Sequence, residues 1–244
     1  FFIFIALGHI GVERLAPTVG KVLENSAAAS AGLQKGDKIL NINGIKISEW
    51  DEISKNVNLT STAITLERAG EIKTINLTPK IGQSVTIFGE KIEKPLIGIS
   101  PSGEVVTIRN TGFSSLKFAL VETVNASKLI FTGLEKLIVG VVPLKEMGGI
   151  IQITDITSKA AGIGLSTLLI IAALISVNLG VLNLLPIPAL DGGHIFFNLY
   201  ELIFRREMNE KVHIGLTYCG WAFLLCLMAF ATFNDVMRLS GAGQ

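Results

Sequence analysis

Residues 178–194 read N-L-G-V-L-N-L-L-P-I-P-A-L-D-G-G-H, and this stretch concentrates most of the side chains able to do chemistry. Asn178, Asn183, Pro186, Pro188, Asp191, Gly192, Gly193 and His194 sit there inside an otherwise apolar run. Polar and ionisable side chains are costly in hydrocarbon and normally face a bundle interior or a water-filled cavity. Pro186 and Pro188 each lack an amide hydrogen, so a helix running through this stretch must break or kink between residues 185 and 193. Backbone groups freed at membrane depth are tolerated only when buried in protein or lining water, so Asp191 is expected to face such a cavity. A carboxylate in a broken helix suits ion coupling, proton relay or metal ligation, and the residues alone leave all three open.

The surrounding composition places this stretch in a membrane. The chain has 244 residues, of which 49% are hydrophobic, and a mean hydropathy of +0.55, too apolar for one water-soluble domain. Residues 165–185 carry no charge and, at about 1.5 Å per residue, are long enough to cross a hydrocarbon core of about 30 Å. Residues 214–233 form a second such run. Arg205, Arg206 and Lys211 fall between the two, and the positive-inside rule puts that loop in the cytoplasm. A net charge of +1 without a long basic run gives no footprint for nucleic acid, so that partner class is set aside. Cys219 and Cys226 lie two turns apart on one expected helix, too far for a disulfide, and read as small packing residues. Residues 1–7 are apolar but too few to span, and no basic segment precedes them, so residues 1–15 are expected to be the tail of a truncated transmembrane helix and its exit loop. His9 and Glu13 stand in the wrong order for an H-E-x-x-H helix, and Gly8 and Gly11 weaken any helix there.

From residue 17 to 80 the sequence becomes water-facing, with eight Lys/Arg against seven Asp/Glu. Its pattern predicts a strand over 18–23, a helix over 26–31 closed by Gly32, a strand over 37–42 ending in an Asn43-Gly44 turn, a helix over 50–57 capped by Ser48, and a hairpin joining 63–68 to 72–77. This order, with G-L-Q-K-G-D-K-I-L-N-I-N-G at its heart, resembles a bacterial PDZ domain of the circularly permuted kind. The resemblance implies capture of peptide segments by strand addition, with a non-binding spacer as the alternative. Residues 81–112 read as an irregular connector with strands at 96–100 and 104–109, where Leu96-Ile97-Gly98-Ile99 also looks like a peptide-cradling loop. Residues 113–140 predict an amphipathic helix at the membrane surface, with Lys117, Glu122, Asn125, Lys128, Thr132, Glu135 and Lys136 on one face and Leu116, Leu120, Leu129, Leu134 and Ile138 on the other; packing against the water-facing module is the alternative. Residues 141–164 read as a Gly-rich connector, 165–204 as a transmembrane helix broken at L-D-G-G-H, 205–212 as the cytoplasmic loop, 213–236 as the last transmembrane helix and 237–244 as a tail. The expected fold class is a multi-domain membrane protein: a polytopic α-helical membrane part with an inserted mixed α+β PDZ-like domain.

Asn178, Asn183 and the string P-x-P-x-L-D-G-G-H resemble the second active-site motif of the site-two protease family of intramembrane zinc metalloproteases, in its bacterial RseP-like branch with one PDZ domain. The resemblance implies Zn2+ as cofactor, with Asp191 as the third zinc ligand. It implies that the other two ligands are histidines of an H-E-x-x-H helix whose glutamate is the general base, that Asn178 and Asn183 hold an extended substrate segment, and that Gly192 and Gly193 permit close backbone approach. It further implies substrates that are single-pass transmembrane proteins, of the anti-sigma-factor or signal-peptide-remnant type. The setting would be a bacterial inner membrane, with membrane lipid around the helices and the PDZ-like part on the periplasmic side. The chain departs from the pattern, because none of His9, His194 and His213 is followed by Glu and no H-E-x-x-H is present. As written it supplies one zinc ligand and no base, and is expected to be inactive alone, as a fragment. His194, three residues after Asp191, is either a substitute ligand or, more in keeping with the family, a supporting hydrogen-bonding group. A membrane-anchored PDZ adaptor without catalysis is the alternative function; a transporter would want a second broken helix.

Overall fold

The computed structural model describes residues 1–206 and 208–240; Glu207 in the expected loop and residues 241–244 of the expected tail lie outside the described residues. The chain divides into two compact units, Gly11–Arg109 and a helical unit made of Phe1–Ile10 with residues 110 onward.

The first unit is mostly strand. Its elements are β1 (Val12–Leu15), β2 (Val19–Val22), α2 (Ala27–Ser30), β3 (Lys38–Ile42), β4 (Ile45–Lys46), α3 (Trp50–Asn56), β5 (Thr62–Arg68), β6 (Glu71–Leu77), β7 (Lys80–Val85), β8 (Lys91–Leu96), β9 (Ile99–Pro101) and β10 (Val105–Ile108). Strands β4-β3-β5-β6 form one antiparallel sheet, while β1-β10, β2-β9 and β7-β8 are antiparallel pairs. Alternation makes the sheet face: Thr62, Ile64 and Leu66 of β5 point inward and join Ile39, Ile42, Val19 and Ala28 in a core where each is fully buried or nearly so. Each fully buried Ile or Leu there contributes about 1.5–3 kcal/mol over its exposed state. The two short turns are built by positive φ at consecutive positions, Asn43 and Gly44 before β4 and Ala69 and Gly70 before β6, which matches the twist of the strands they join.

One buried charge organises this core. Asp37 has no exposed surface, and its carboxylate accepts from Arg68 Nε at 2.6 Å, Arg68 Nη2 at 2.7 Å and the Gln34 amide at 2.8 Å. Burial alone would raise its pKa, but the Arg68 guanidinium, the Gln34 N–H and the field of Lys73 together hold it below the ordinary carboxylate value.

Three expectations need correction in this unit. The segment over 81–112 is no irregular connector: β7 and β8 form a ribbon, and β9 and β10 return to pair with β2 and β1, closing the unit at Arg109. The expected strand over 96–100 is interrupted because Gly98 has φ +83° and packs where a Cβ would strike Ser26. Ser48 does not cap α3; Glu52 reaches back so that its carboxylate accepts the Ser48 and Glu49 amides at 2.7 and 3.4 Å, and Glu49 is the cap position.

The helical unit contains α1 (Phe2–Ile10), α4 (Phe113–Ile138), a 3-10 turn (Leu144–Glu146), α5 (Ile150–Ile163), α6 (Leu165–Asn183), α7 (Asp191–Phe204) and α8 (Glu210–Leu239). By length and composition, α6 and α8 are long and apolar enough to cross a membrane. The expected exit loop is helix at its start and strand at its end: α1 runs through Gly8 and His9 to Ile10, the bare Gly8 lying close to Ser115 and Phe118 of α4, and Val12–Leu15 is β1. α4 buries only small residues, Ser115, Ala119 and Ala126, while Leu116, Leu120, Leu129 and Ile138 of its expected apolar face stay exposed. The expected Gly-rich connector over 141–164 contains a full helix, α5, whose amide end is capped by a side chain of α8 rather than by a local residue. Cys219 and Cys226 are free and exposed on α8, and the buried small residues of that helix are instead Gly220 and Ala231.

Candidate active site

Residues 184–190 separate two helices, and the residue after them is Asp191. α6 ends as the Leu184 amide bonds to the Gly180 and Val181 carbonyls at 3.2 and 3.1 Å and the Leu185 amide to Leu182 at 3.1 Å, a tightening that gives the Leu182 carbonyl a donor where a straight helix would have left it facing Pro186, which has none. The Ile187 amide then bonds to the Leu185 carbonyl at 2.7 Å and the Leu190 amide to Ile187 at 2.9 Å. α7 starts with Leu190 in extended conformation, its carbonyl accepting from Gly193 and His194 at 3.0 and 3.3 Å. Asp191 is the first residue of α7, where the helix dipole favours a carboxylate. It is exposed and has no hydrogen-bond partner among the described residues.

Gly192 and Gly193 are buried, and they hold this turn closed. A Cβ at Gly192 would fall on the Leu184 and Leu185 carbonyls, and one at Gly193 on the Ile187 carbonyl, 2.7 Å from Pro188 Cα. The close approach they allow is therefore to the chain's own broken segment. Gly220 does the same from α8: its Cβ would lie 2.8 Å from the Ala189 amide nitrogen. Nothing local in the sequence marks Gly220, since its partner is 31 positions away in the chain.

The asparagines do not share a face. Five positions of α6 separate Asn178 from Asn183, which turns them about 140° apart around the axis. Asn178 is exposed and lines an apolar groove of about 300 Å³ between α4, α5 and α6, together with Leu129, Ile130, Ile153, Ile156 and Leu174 among others. Asn183 is the last residue of α6, half-buried, next to the break.

His194 lies one turn beyond Asp191, exposed, with its ring edge-on to Phe197 and 6.0 Å from the ring of His213 at the start of α8. His213 packs on Phe197 at 4.6 Å, and its Nε2 is buried without a hydrogen-bond partner. No three His, Cys, Asp or Glu side chains among the described residues converge to hold a metal. A zinc centre with three protein ligands is not gathered among the described residues, and Asp191 stands exposed at the head of α7.

A model of peptidase family M50 matches residues 1–227. A Campylobacter jejuni protein named "Putative zinc metalloprotease Cj1068" is 52% identical over 241 residues, covering 99% of this chain and 66% of that protein. The "Zinc metalloprotease RasP" of Bacillus licheniformis is 32% identical over 98% of this chain and 56% of its own length. The "Regulator of sigma-W protease RasP" of Bacillus subtilis is 36% identical, again over 98% of this chain and 56% of its own. The chain thus spans between about half and two thirds of the length of these relatives. Among solved structures, the PDZ domain of an SdrC-like protein from Listeria monocytogenes aligns with 34% of this chain and 84% of its own at 20% identity, with a TM-score of 0.26, too low to establish a shared fold. With the family matched over nearly the whole chain around the broken α6–α7 segment, the chain belongs to peptidase family M50, the site-two protease family, and to its RseP-like branch.

Proposed function

We propose that these residues form one part of an intramembrane zinc metalloprotease that cleaves single-pass membrane proteins, with Asp191 contributing one ligand to a zinc centre completed by histidines and a general base outside this sequence. The observation that carries the reading is the break at residues 184–190. It leaves an unpartnered carboxylate at the head of α7, beside a helix apolar enough to cross a membrane. In this reading Asn178 offers its amide to a substrate backbone within the apolar groove, replacing hydrogen bonds that an unwound segment loses in lipid. In this reading the exposed long apolar side chains of α4 face lipid, Arg205, Arg206 and Lys211 are cytoplasmic in a bacterial inner membrane by the positive-inside rule, and Gly11–Arg109 is periplasmic.

The Gly11–Arg109 unit is read as a PDZ-like module that takes peptide segments. Support comes from a groove of about 160 Å³ between α3 and residues 94–99, with Trp50, Ile53 and Val57 on one wall and Ser54 and Lys94 as its polar groups. The adaptor alternative keeps this groove and dispenses with catalysis; it is favoured only by the absence of H-E-x-x-H from these residues.

The test is Asp191→Asn in the complete protease, assayed on a single-span substrate whose transmembrane segment carries the scissile bond. Loss of cleavage and of bound zinc supports the ligand role; undiminished cleavage sinks it.

A further inference from the structure

Asp235 sits near the C-terminal end of α8 and is 2% exposed, in a helix where an unpartnered carboxylate would be costly. Its principal partners belong to another helix. Oδ1 accepts the Gly149 amide at 3.1 Å, and Oδ2 accepts the Ile151 and Gln152 amides at 3.0 and 3.1 Å. Arg238 donates to Oδ1 at 3.2 Å, and the neighbouring Asn234 side-chain amide donates to the Leu144 carbonyl at 3.1 Å. Four accepted bonds fill the roughly four lone-pair positions of a carboxylate, leaving no room for a cation or a transferable proton. The group is therefore a cap: the cap position of α5 is Gly149, which has no side chain to satisfy the first amides of the helix, and α8 satisfies them from more than eighty positions away. Gly149 makes this contact possible, because a Cβ there would lie 2.8 Å from Asp235 Oδ2 and 3.0 Å from the Ala231 carbonyl carbon.

The cap has a downstream consequence. Ile153 and Ile156, within the first two turns of α5, line the same apolar groove as Asn178 of α6. We propose that Asp235 is a positioning residue for substrate binding: by tying α5 to α8 it fixes the α5 wall of the groove that Asn178 also lines, so that α5 and α8 act as one body. The proposal rests on the protease reading above, in which that groove receives the substrate.

The experiment compares Asp235→Asn, which keeps the shape and removes the charge, with Gly149→Ala, which keeps the carboxylate and pushes α5 off α8. Both are made in the complete protease in lipid nanodiscs. Losing the charge-assisted bonds is expected to speed amide exchange at Ile151 and Gln152 by roughly tenfold in each variant. KM for a single-span substrate should rise by about the same factor, with kcat within about twofold. Unchanged exchange in both variants overturns the cap itself. Faster exchange with an unchanged KM, or a loss carried by kcat alone, overturns the positioning role. Asn178→Ala, measured alongside, isolates the groove assignment. If it leaves KM unchanged while exchange at α5 is faster in Asp235→Asn, the protease groove reading has failed, the substrate-binding half of the proposal falls with it, and the cap stands.

Discussion

Replacing Gly193 by Ala tests whether the broken segment truly fixes Asp191. The added Cβ would lie 2.7 Å from both the Ile187 carbonyl carbon and Pro188 Cα, and on the Ile187 oxygen itself. Ordinary carbon contacts are about 3.5–4.0 Å, so relief requires a shift of about 1 Å. The obstructing atoms are backbone, pinned by the Ile187-to-Leu185 and Leu190-to-Ile187 hydrogen bonds, and no rotamer change removes them. Overpacking of this kind costs about 1–3 kcal/mol. Asp191 lies only two residues earlier, and a catalytic group misplaced by about 1 Å can lose a factor of about 10². Initial cleavage rates of the complete protease in nanodiscs, normalised to folded protein, should therefore fall by between about tenfold and hundredfold in Gly193→Ala. Gly162→Ala is the matched control, since a Cβ there meets nothing within 4 Å. It should leave the rate within about twofold and stabilise α5 by about 0.5–1 kcal/mol. A Gly193→Ala rate within twofold of wild type would refute the claim that the 184–190 segment positions the carboxylate.

Arg68→Ala strands the buried Asp37 carboxylate and should destabilise the Gly11–Arg109 unit by about 3 kcal/mol in urea titration. Because the Asp37 pKa is lowered in the folded state, its contribution is full above the unfolded value of about 3.9 and is lost as pH falls through the lower folded value. Wild-type stability should thus decline on acidification below about pH 4, and the Arg68→Ala variant should show a shallower decline; identical pH slopes would contradict the assignment. Ala69 has φ +50°, a conformation in which a Cβ is strained, so Ala69→Gly should raise the stability of the same unit by about 1 kcal/mol. A destabilised Ala69→Gly would show that the Ala69-Gly70 turn is not the one described.

Local chemistry made some elements legible. The Asn43-Gly44 and Ala69-Gly70 turns and the alternation of β5 are all encoded within a few residues of where they act. The proline pair likewise marks the end of α6. What stayed hidden depends on partners distant in sequence. β1 pairs with β10 through Val12 and Ile108, and no periodicity within residues 81–112 reveals that. α5 lacks a local cap because Asp235 supplies one, so its sequence looks like a Gly-rich connector. α1 runs through Gly8, which lies close to Ser115 and Phe118 of α4. In the site, Asp191 was visible as a carboxylate out of place, whereas Gly220 and His213 gain meaning only from the break and from Phe197 beside them.

The most direct test of the account is the zinc content of this 244-residue chain in nanodiscs, alone and after co-reconstitution with a helix bearing H-E-x-x-H. Asp191 as a single ligand predicts substoichiometric zinc for the chain alone, near one zinc per complex with the helix, and loss of that zinc in Asp191→Asn. Stoichiometric zinc and substrate cleavage by the chain alone, or full zinc retention in the Asp191→Asn complex, would contradict it.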